Sequence, residues 1–348
     1  MDTTALSHPH SHLSETSNIL RFASADADGW AADRRRIEEG RYWVSPAGPR
    51  PKWQSSVFRW GLVAFTWAMR VLALYEYGRR AALAPRLANL TLSFPTLPRV
   101  FDGYRILHLT DTHLDILPEL AEVARAMLAG VEVDALVLTG DILGHHDAPL
   151  ASAIEPLANV LEGLLVHEHR LAVLGNHDPP MMAEALTRLG FEVMINRSVA
   201  LERGGERIVF TGLDDVHSFY TDAASAALLD AGIDGFRIAL VHSPEIADEA
   251  SAAGIMLYLC GHTHGGQVCL PGGKPLITQL TRCHKAARGL WRYGPMKGYT
   301  SAGLGTNWPP LRYHCQGEMT IITLRAGGHS PDDYKDGGSV CSAAVVKG

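Results

Sequence analysis

The sequence predicts an α/β fold. Three observations carry this expectation: five short runs rich in Ile, Val and Leu recur at strand length, helix-length amphipathic segments separate several of them, and a polar residue of metal-ligand type follows each run. The runs are Tyr104 to Leu109, Ala135 to Leu138, Leu171 to Leu174, Arg237 to Val241 and Met256 to Cys260. In α/β sheets ligands and catalytic groups gather at the carboxyl ends of strands, so five strands are expected to deliver polar residues to one sheet edge.

Taken in chain order, residues 1–51 are expected to form a disordered or irregular extension. Up to residue 29, Ser, Thr, His and Asp dominate with little apolar surface, and the alternation of His8, His10 and His12 reads as solvated tail. Polar residues with interspersed aromatics follow from Trp30, until Pro46, Pro49 and Pro51 mark a boundary. The first 30 residues lack the basic start and apolar core of a secretory signal, and no apolar run follows Arg34 to Arg36 as twin-arginine export requires.

Residues 52–99 read as a basic, apolar helical segment associated with a membrane. Between Val57 and Tyr77 lie Trp60, Leu62, Val63, Phe65, Trp67, Met69, Val71, Leu72 and Leu74, while Lys52, Arg59, Thr66, Arg70 and Tyr77 fall on one narrow stripe at 100° per residue. Arg70 sits badly inside a spanning helix, which favours a helix lying in the interface; a spanning helix and one packed on the catalytic domain are the alternatives. Seven basic residues between Arg50 and Arg86, against Glu76 alone, favour an anionic surface.

Residues 100–325 hold the expected catalytic domain. Leu117 to Ala129 and Leu150 to Leu165 read as helices joining strands, Arg207 to Thr211 and Met319 to Leu324 as further strands, and Asp214 to Asp234 as a loop and helix near the site. In the loop Gly303 to Cys315, Arg312 either meets a substrate phosphate or is an ordinary exposed charge. Residues 326–348, rich in Gly, Ser and Asp, read as a flexible tail.

The polar ends of the five runs read D-x-H at Asp111 to His113, GD at Gly140 to Asp141, GNHD at Gly175 to Asp178, a lone His242, and GHTH at Gly261 to His264. Anionic oxygen neutralises a divalent cation while neutral imidazole donates strongly, so this mixture suits metals of borderline softness. Seven donors exceed the need of one ion. Two ions sharing Asp141 use them all, and a pair about 3.5 to 4 Å apart clamps both oxygens of a phosphoryl displacement. Read singly, His242 is better explained as a structural histidine, and Asn176 and Asp178 as turn formers; together with the other motifs the balance inverts. Gly261, Gly265 and Gly266 let the backbone bend closely around an ion.

The order and wording of these motifs resemble the calcineurin-like metallophosphoesterase superfamily over roughly residues 100 to 325. The resemblance implies a four-layer α/β/β/α sandwich, with Asp111, His113 and His264 on one ion, Asn176, His242 and His262 on the other, and Asp141 bridging. It leaves His177 beside two divalent transition metals, Mn, Fe or Zn, as the catalytic proton donor to the leaving oxygen. The metals would lower the pKa of a water held between them and so supply the nucleophile near neutral pH. The SAGLGT segment at Ser301 to Thr306 and the HTHGGQV run at His262 to Val268 look like a membrane-associated bacterial branch that includes phosphodiesterases and UDP-2,3-diacylglucosamine pyrophosphatases. A lipid-linked phosphodiester or pyrophosphate is therefore the expected substrate; a soluble phosphodiester substrate and a metal-dead scaffold are the alternatives.

Composition agrees with an enzyme. A chain of 348 residues with 47% hydrophobic content can bury a substantial core. A formal net charge of −6 argues against a nucleic-acid partner. Five cysteines, Cys260, Cys269, Cys283, Cys315 and Cys341, in no disulfide-like spacing suggest free thiols and a cytoplasmic protein held on the inner membrane face.

Overall fold

The computed structural model describes residues 19–22, 27–230 and 234–328. In chain order the elements begin β1 (Ile19–Phe22), α1 (Ala27–Glu39), β2 (Tyr42–Ser45), β3 (Gly48–Pro51), α2 (Trp53–Val71), α3 (Tyr75–Ala82) and β4 (Arg86–Phe94). They continue β5 (Arg105–Leu109), α4 (Leu120–Leu128), β6 (Glu132–Thr139), α5 (Ala151–Val160), β7 (Leu165–Val173), α6 (Met182–Arg188), β8 (Glu192–Val193) and β9 (Arg197–Arg203). The remainder are β10 (Glu206–Gly212), α7 (Asp222–Leu229), β11 (Phe236–Leu240), α8 (Ala247–Ala252), β12 (Leu257–Cys260), β13 (Gly289–Tyr293), β14 (Met296–Thr300) and β15 (Glu318–Ala326).

Two sheets carry the fold. One has the order β4-β15-β5-β6-β7-β8, the other β1-β9-β10-β11-β12-β14-β13, and β2 pairs with β3 as a separate hairpin. The neighbours that bear the motifs are parallel: β5 with β6, β6 with β7, and β11 with β12. Side chains from both sheets, among them Ile106, Val137, Val173, Phe210, Ile238 and Leu259, meet in one buried apolar layer. On the outer face of the first sheet lie α4, α5 and α6, through residues such as Leu120, Leu157 and Leu186. Against the second lie α7 and α8, through Ala227, Leu228, Ala247 and Ala250. These are the four layers α/β/β/α, a solution that covers both faces of two mixed sheets whose central pairs are parallel.

Several expectations change. The five motif-bearing strands belong to two sheets rather than to one edge, because strand periodicity carries no information about which sheet a strand joins. The segment 52–99 is helical only to Ala82; Arg86–Phe94 is a strand parallel to β15, so the catalytic sheet begins before residue 100. The helix expected over Leu150 to Leu165 ends at Val160, and Leu165 already starts β7. Within the extension read as irregular, Ile19–Phe22 pairs with β9, and α1 and the β2–β3 hairpin form ordered structure. His8, His10 and His12, and residues 329–348 of the tail, lie outside the described residues. Cys260, Cys269 and Cys315 are free and buried, but Cys283 is disulfide-bonded, against the expectation of free thiols throughout.

No helix among the described residues is long and apolar enough to cross a membrane. The spanning alternative for α2 therefore falls, as Arg59 and Arg70 interrupt its apolar run. Nor do the expected stripe residues stay together. Lys52 turns back to the carbonyls of Ile37 and Glu38, Thr66 is buried with its hydroxyl donating to Leu62 O at 2.7 Å, and Tyr77 stacks on Tyr313. α2 presents an apolar face to solvent, flanked by exposed Arg59 and Arg70: Trp60 is 73% exposed and Trp67 70%, with Val63 and Val71 on the same face.

Candidate metal centre

Each motif begins where its strand stops, so side chains at the carboxyl ends of β5, β6 and β7 from one sheet face those of β11 and β12 from the other. Two groups of potential donors result, Asp111 with His113 and His264, and Asp141 with His242 and His262; within each group the donor atoms lie within 4.8 Å of one another. Asp141 Oδ2 is 3.2 Å from His242 Nε2 and 3.7 Å from His113 Nε2, which puts this carboxylate between the groups. Asn176 Oδ1 lies 2.8 Å from His262 Nδ1 and 3.2 Å from His242 Nε2. The structure thus brings together all seven residues expected as ligands.

Ring orientation is set by the backbone. A carbonyl only accepts, so His113 Nδ1 donates to Leu143 O at 3.0 Å and His242 Nδ1 to Thr139 O at 2.8 Å, which turns Nε2 of each toward the Asp141 carboxylate. Nε2 of His113, His262 and His264 is buried without a hydrogen-bond partner among the described residues. Such orphans each cost about 1–3 kcal/mol. A cation removes that cost, and the donor set of imidazoles, carboxylates and one amide fits a divalent transition metal.

The backbone is also strained here. Asp111, His113, Asp141, His262 and His264 adopt positive φ of 48°, 37°, 53°, 72° and 50°. Non-glycine residues in this region cost on the order of 1–3 kcal/mol each and cluster at functional sites. Two glycines are required by closeness instead: a Cβ on Gly175 would lie 2.1 Å from Asp141 Oδ1, and one on Gly261 2.1 Å from Asp111 Oδ2.

Burial governs the charge of the site. It lowers the pKa of His113 to about 4 and pushes His262 and His264 well below the usual range, so these rings are neutral donors. Burial opposes charge on His242 too, yet the neighbouring Asp141 carboxylate carries its pKa up to about 10. Burial likewise opposes ionisation of Asp141, but His242, His177 and His113 hold it well below the ordinary carboxylate range. In the protein without metals a proton on His242 balances Asp141, and a cation takes over that role.

His177 lies beside the groups. Its Nδ1 donates to Gly144 O at 2.9 Å and its backbone N–H to Asp141 Oδ1 at 2.9 Å, leaving Nε2 available to exchange a proton. Asp178 is structural: its carboxylate accepts from the amides of Ile142, Leu143 and Gly175, tying the GD turn to the GNHD turn. Arg312 is neither a phosphate contact nor a surface charge. It is fully buried and donates to the carbonyls of His264, Ala302, Gly303 and Gly305, bracing the loop behind GHTH.

Sequence reasoning missed four neighbours. Arg34 reaches the GNHD turn from α1, His146 stacks on His177, Trp43 stacks on His146, and His217 lies 4.1 Å from His262 between ring centres while donating through Nδ1 to buried Glu245. No local signal marks them, since an Arg in the run Arg34 to Arg36 looks like any solvated charge.

The model of the family described as calcineurin-like phosphoesterase matches residues 104–266. A metallophosphoesterase of Bacillus subtilis, YkuE, is 30% identical over 263 residues, covering 72% of this chain and 90% of the relative. The chain belongs to the calcineurin-like metallophosphoesterase family. As a metallophosphoesterase it is a metal-dependent hydrolase of phosphoric esters. Other relatives include the Escherichia coli phosphodiesterase YaeI, 28% identical across 64% of this chain and 82% of its own length. A Danio rerio transmembrane protein with a metallophosphoesterase domain is 27% identical across 73% of this chain and 60% of its own length.

Proposed function

We propose that this metallophosphoesterase cleaves a phosphodiester or pyrophosphate bond in a lipid-linked substrate while resting on a membrane surface. Asp111, His113 and His264 would hold one divalent ion, Asn176, His242 and His262 a second, with Asp141 shared. The observation that carries the assignment is the pair of buried donor groups on either side of one carboxylate, with Nε2 of His113 and of His264 unpartnered in the first. When bound, the ions supply a water acidic enough to attack phosphorus near neutral pH and charge to offset that building on the phosphoryl oxygens.

The chain's own residues do the rest. Leu143 and Thr139 carbonyls orient His113 and His242, and Asp178 keeps the two turns in register. His177 would deliver a proton from Nε2 to the leaving oxygen, with Nδ1 held by Gly144 O. The lipid-linked reading rests on α2, whose exposed Trp60, Val63, Trp67 and Val71 adjoin the exposed Arg59 and Arg70. Such a face combines apolar insertion with attraction to anionic headgroups, at about 1 kcal/mol per basic residue. A soluble phosphodiester is the second reading; the phosphodiesterase among the relatives supports phosphodiester chemistry under either.

Two measurements test this. Elemental analysis should find two transition-metal ions per chain, with Asp141→Ala losing both and nearly all hydrolysis; activity that survives exhaustive chelation would refute the metal assignment. Wild type should co-sediment with anionic vesicles and release in high salt, and Arg59→Glu with Arg70→Glu should abolish binding while sparing hydrolysis of a soluble aryl ester. Failure to bind any vesicle would return the substrate to the soluble class.

A further inference from the structure

The segment from α1 through the β2–β3 hairpin lies outside the matched family region, yet it reaches the site at three places. Arg34 is fully buried; its guanidinium donates to the carbonyls of Gly175 and of Asp178, at 2.6 Å to the latter, pairs with Asp214, and lies 4.0 Å over the Phe219 ring. One side chain thus holds both ends of the turn that carries Asn176 and His177. Trp43 on β2 stacks on His146 with planes 18° apart, and His146 stacks on His177 at 4.9 Å and 9°. On the other flank, Val44 and Ser218 share a backbone hydrogen bond and Arg50 donates to His217 O. Lys52 closes the unit on itself, donating to the carbonyls of Ile37 and Glu38 at 2.6 Å and lying over Trp43.

We infer that residues 27–52 form a brace that completes the catalytic site, with Arg34 as a positioning residue for the Asn176 and His177 turn and Trp43 as one for the His177 ring. This rests on the metal and proton-donor assignment above. A guanidinium suits the task because one of its terminal nitrogens meets the two carbonyls while the other meets the carboxylate, whereas an ammonium must serve all three acceptors from a single atom. Fixing a proton donor within a few tenths of an ångström matters, since a 1 Å misplacement costs about 10²-fold in rate.

The full chain is compared as wild type, Arg34→Lys, Arg34→Met and Trp43→Ala, below the unfolding temperature of each. In Arg34→Met the amides of residues 175–178 should exchange hydrogen at least tenfold faster than in wild type, in metal-free and Mn²⁺-loaded protein alike. Mn²⁺ titration should show one of two sites weakened at least tenfold, with Arg34→Lys intermediate. Trp43→Ala should keep both sites, lose turnover with little change in KM, and lose more on an alkyl phosphodiester than on an aryl one. Unchanged exchange across residues 175–178 overturns the role of Arg34, and equal losses on both esters overturn that of Trp43. If Arg34→Met fails to fold, Asp214→Asn loosens the same guanidinium from its other side and should raise exchange in that turn. Should wild type bind fewer than two metals, the metal assignment fails while the exchange measurement still decides the brace.

Discussion

Replacing Gly175 by Ala isolates closeness of packing from every other property of the site. The added Cβ would lie 2.1 Å from Asp141 Oδ1 and 2.3 Å from Asp141 N, whereas real contacts rarely fall below 3.0 Å, so even with the carboxylate turned aside the two turns must part by about 0.7 Å. Asp141 N cannot rotate away, because it is backbone. Overpacking of this kind costs about 1–3 kcal/mol of stability. The larger effect is on function: a displacement near 1 Å between the turns that carry Asp141 and Asn176 should lower kcat about 10²-fold. Gly190→Ala is the matched control, since its φ of +84° strains an alanine while no heavy atom lies within 4 Å of the new methyl. It should lose about 1 kcal/mol and keep full activity. Urea midpoints, metal per chain and turnover of bis(p-nitrophenyl) phosphate are measured for both variants. Gly175→Ala with two metals and turnover within twofold of wild type would refute the reasoning.

Three further outcomes are expected. His177→Asn should retain both metals and lower turnover, less on an activated aryl ester than on an alkyl ester, as paired kinetics and elemental analysis will read. His108 is buried with Nε2 2.8 Å from Thr139 Oγ1, and burial lowers its pKa to about 4. The unfolded chain therefore binds more protons between pH 6.5 and 4; stability is lost as pH falls through that window, by about 3 kcal/mol from this group, and His108→Gln should flatten the loss in urea titrations. Arg312→Met should orphan the buried carbonyls it satisfies, costing at least about 3 kcal/mol by chemical denaturation; a loss under 1 kcal/mol would show that the loop finds other donors.

Much of the site is legible in the sequence because its chemistry is local. A ligand at a strand end needs only the strand, the turn after it and a residue of the right type, all within a few positions; Asp111, His113, Asp141, Asn176, His242, His262 and His264 satisfy this and meet in space. Strand positions followed period and β-branched content closely, as β5, β10 and β15 show, whereas helix ends drifted because several apolar runs continue beyond the last helical turn.

Residue types and their order along the chain, then, determined the family, the layered α/β class and the set of donors. Only the tertiary structure decided that two sheets rather than one supply them, since no strand encodes its partner across the apolar layer. It alone decided the fates of three arginines that look alike in sequence. Arg34 pins the GNHD turn, Arg312 is sealed behind GHTH, and Arg70 stays in solvent beside the tryptophans of α2. The physical reason is that a guanidinium is buried only where several carbonyls or a carboxylate converge on it, and those acceptors come from segments more than a hundred residues away for Arg34 and from the nearby loop for Arg312.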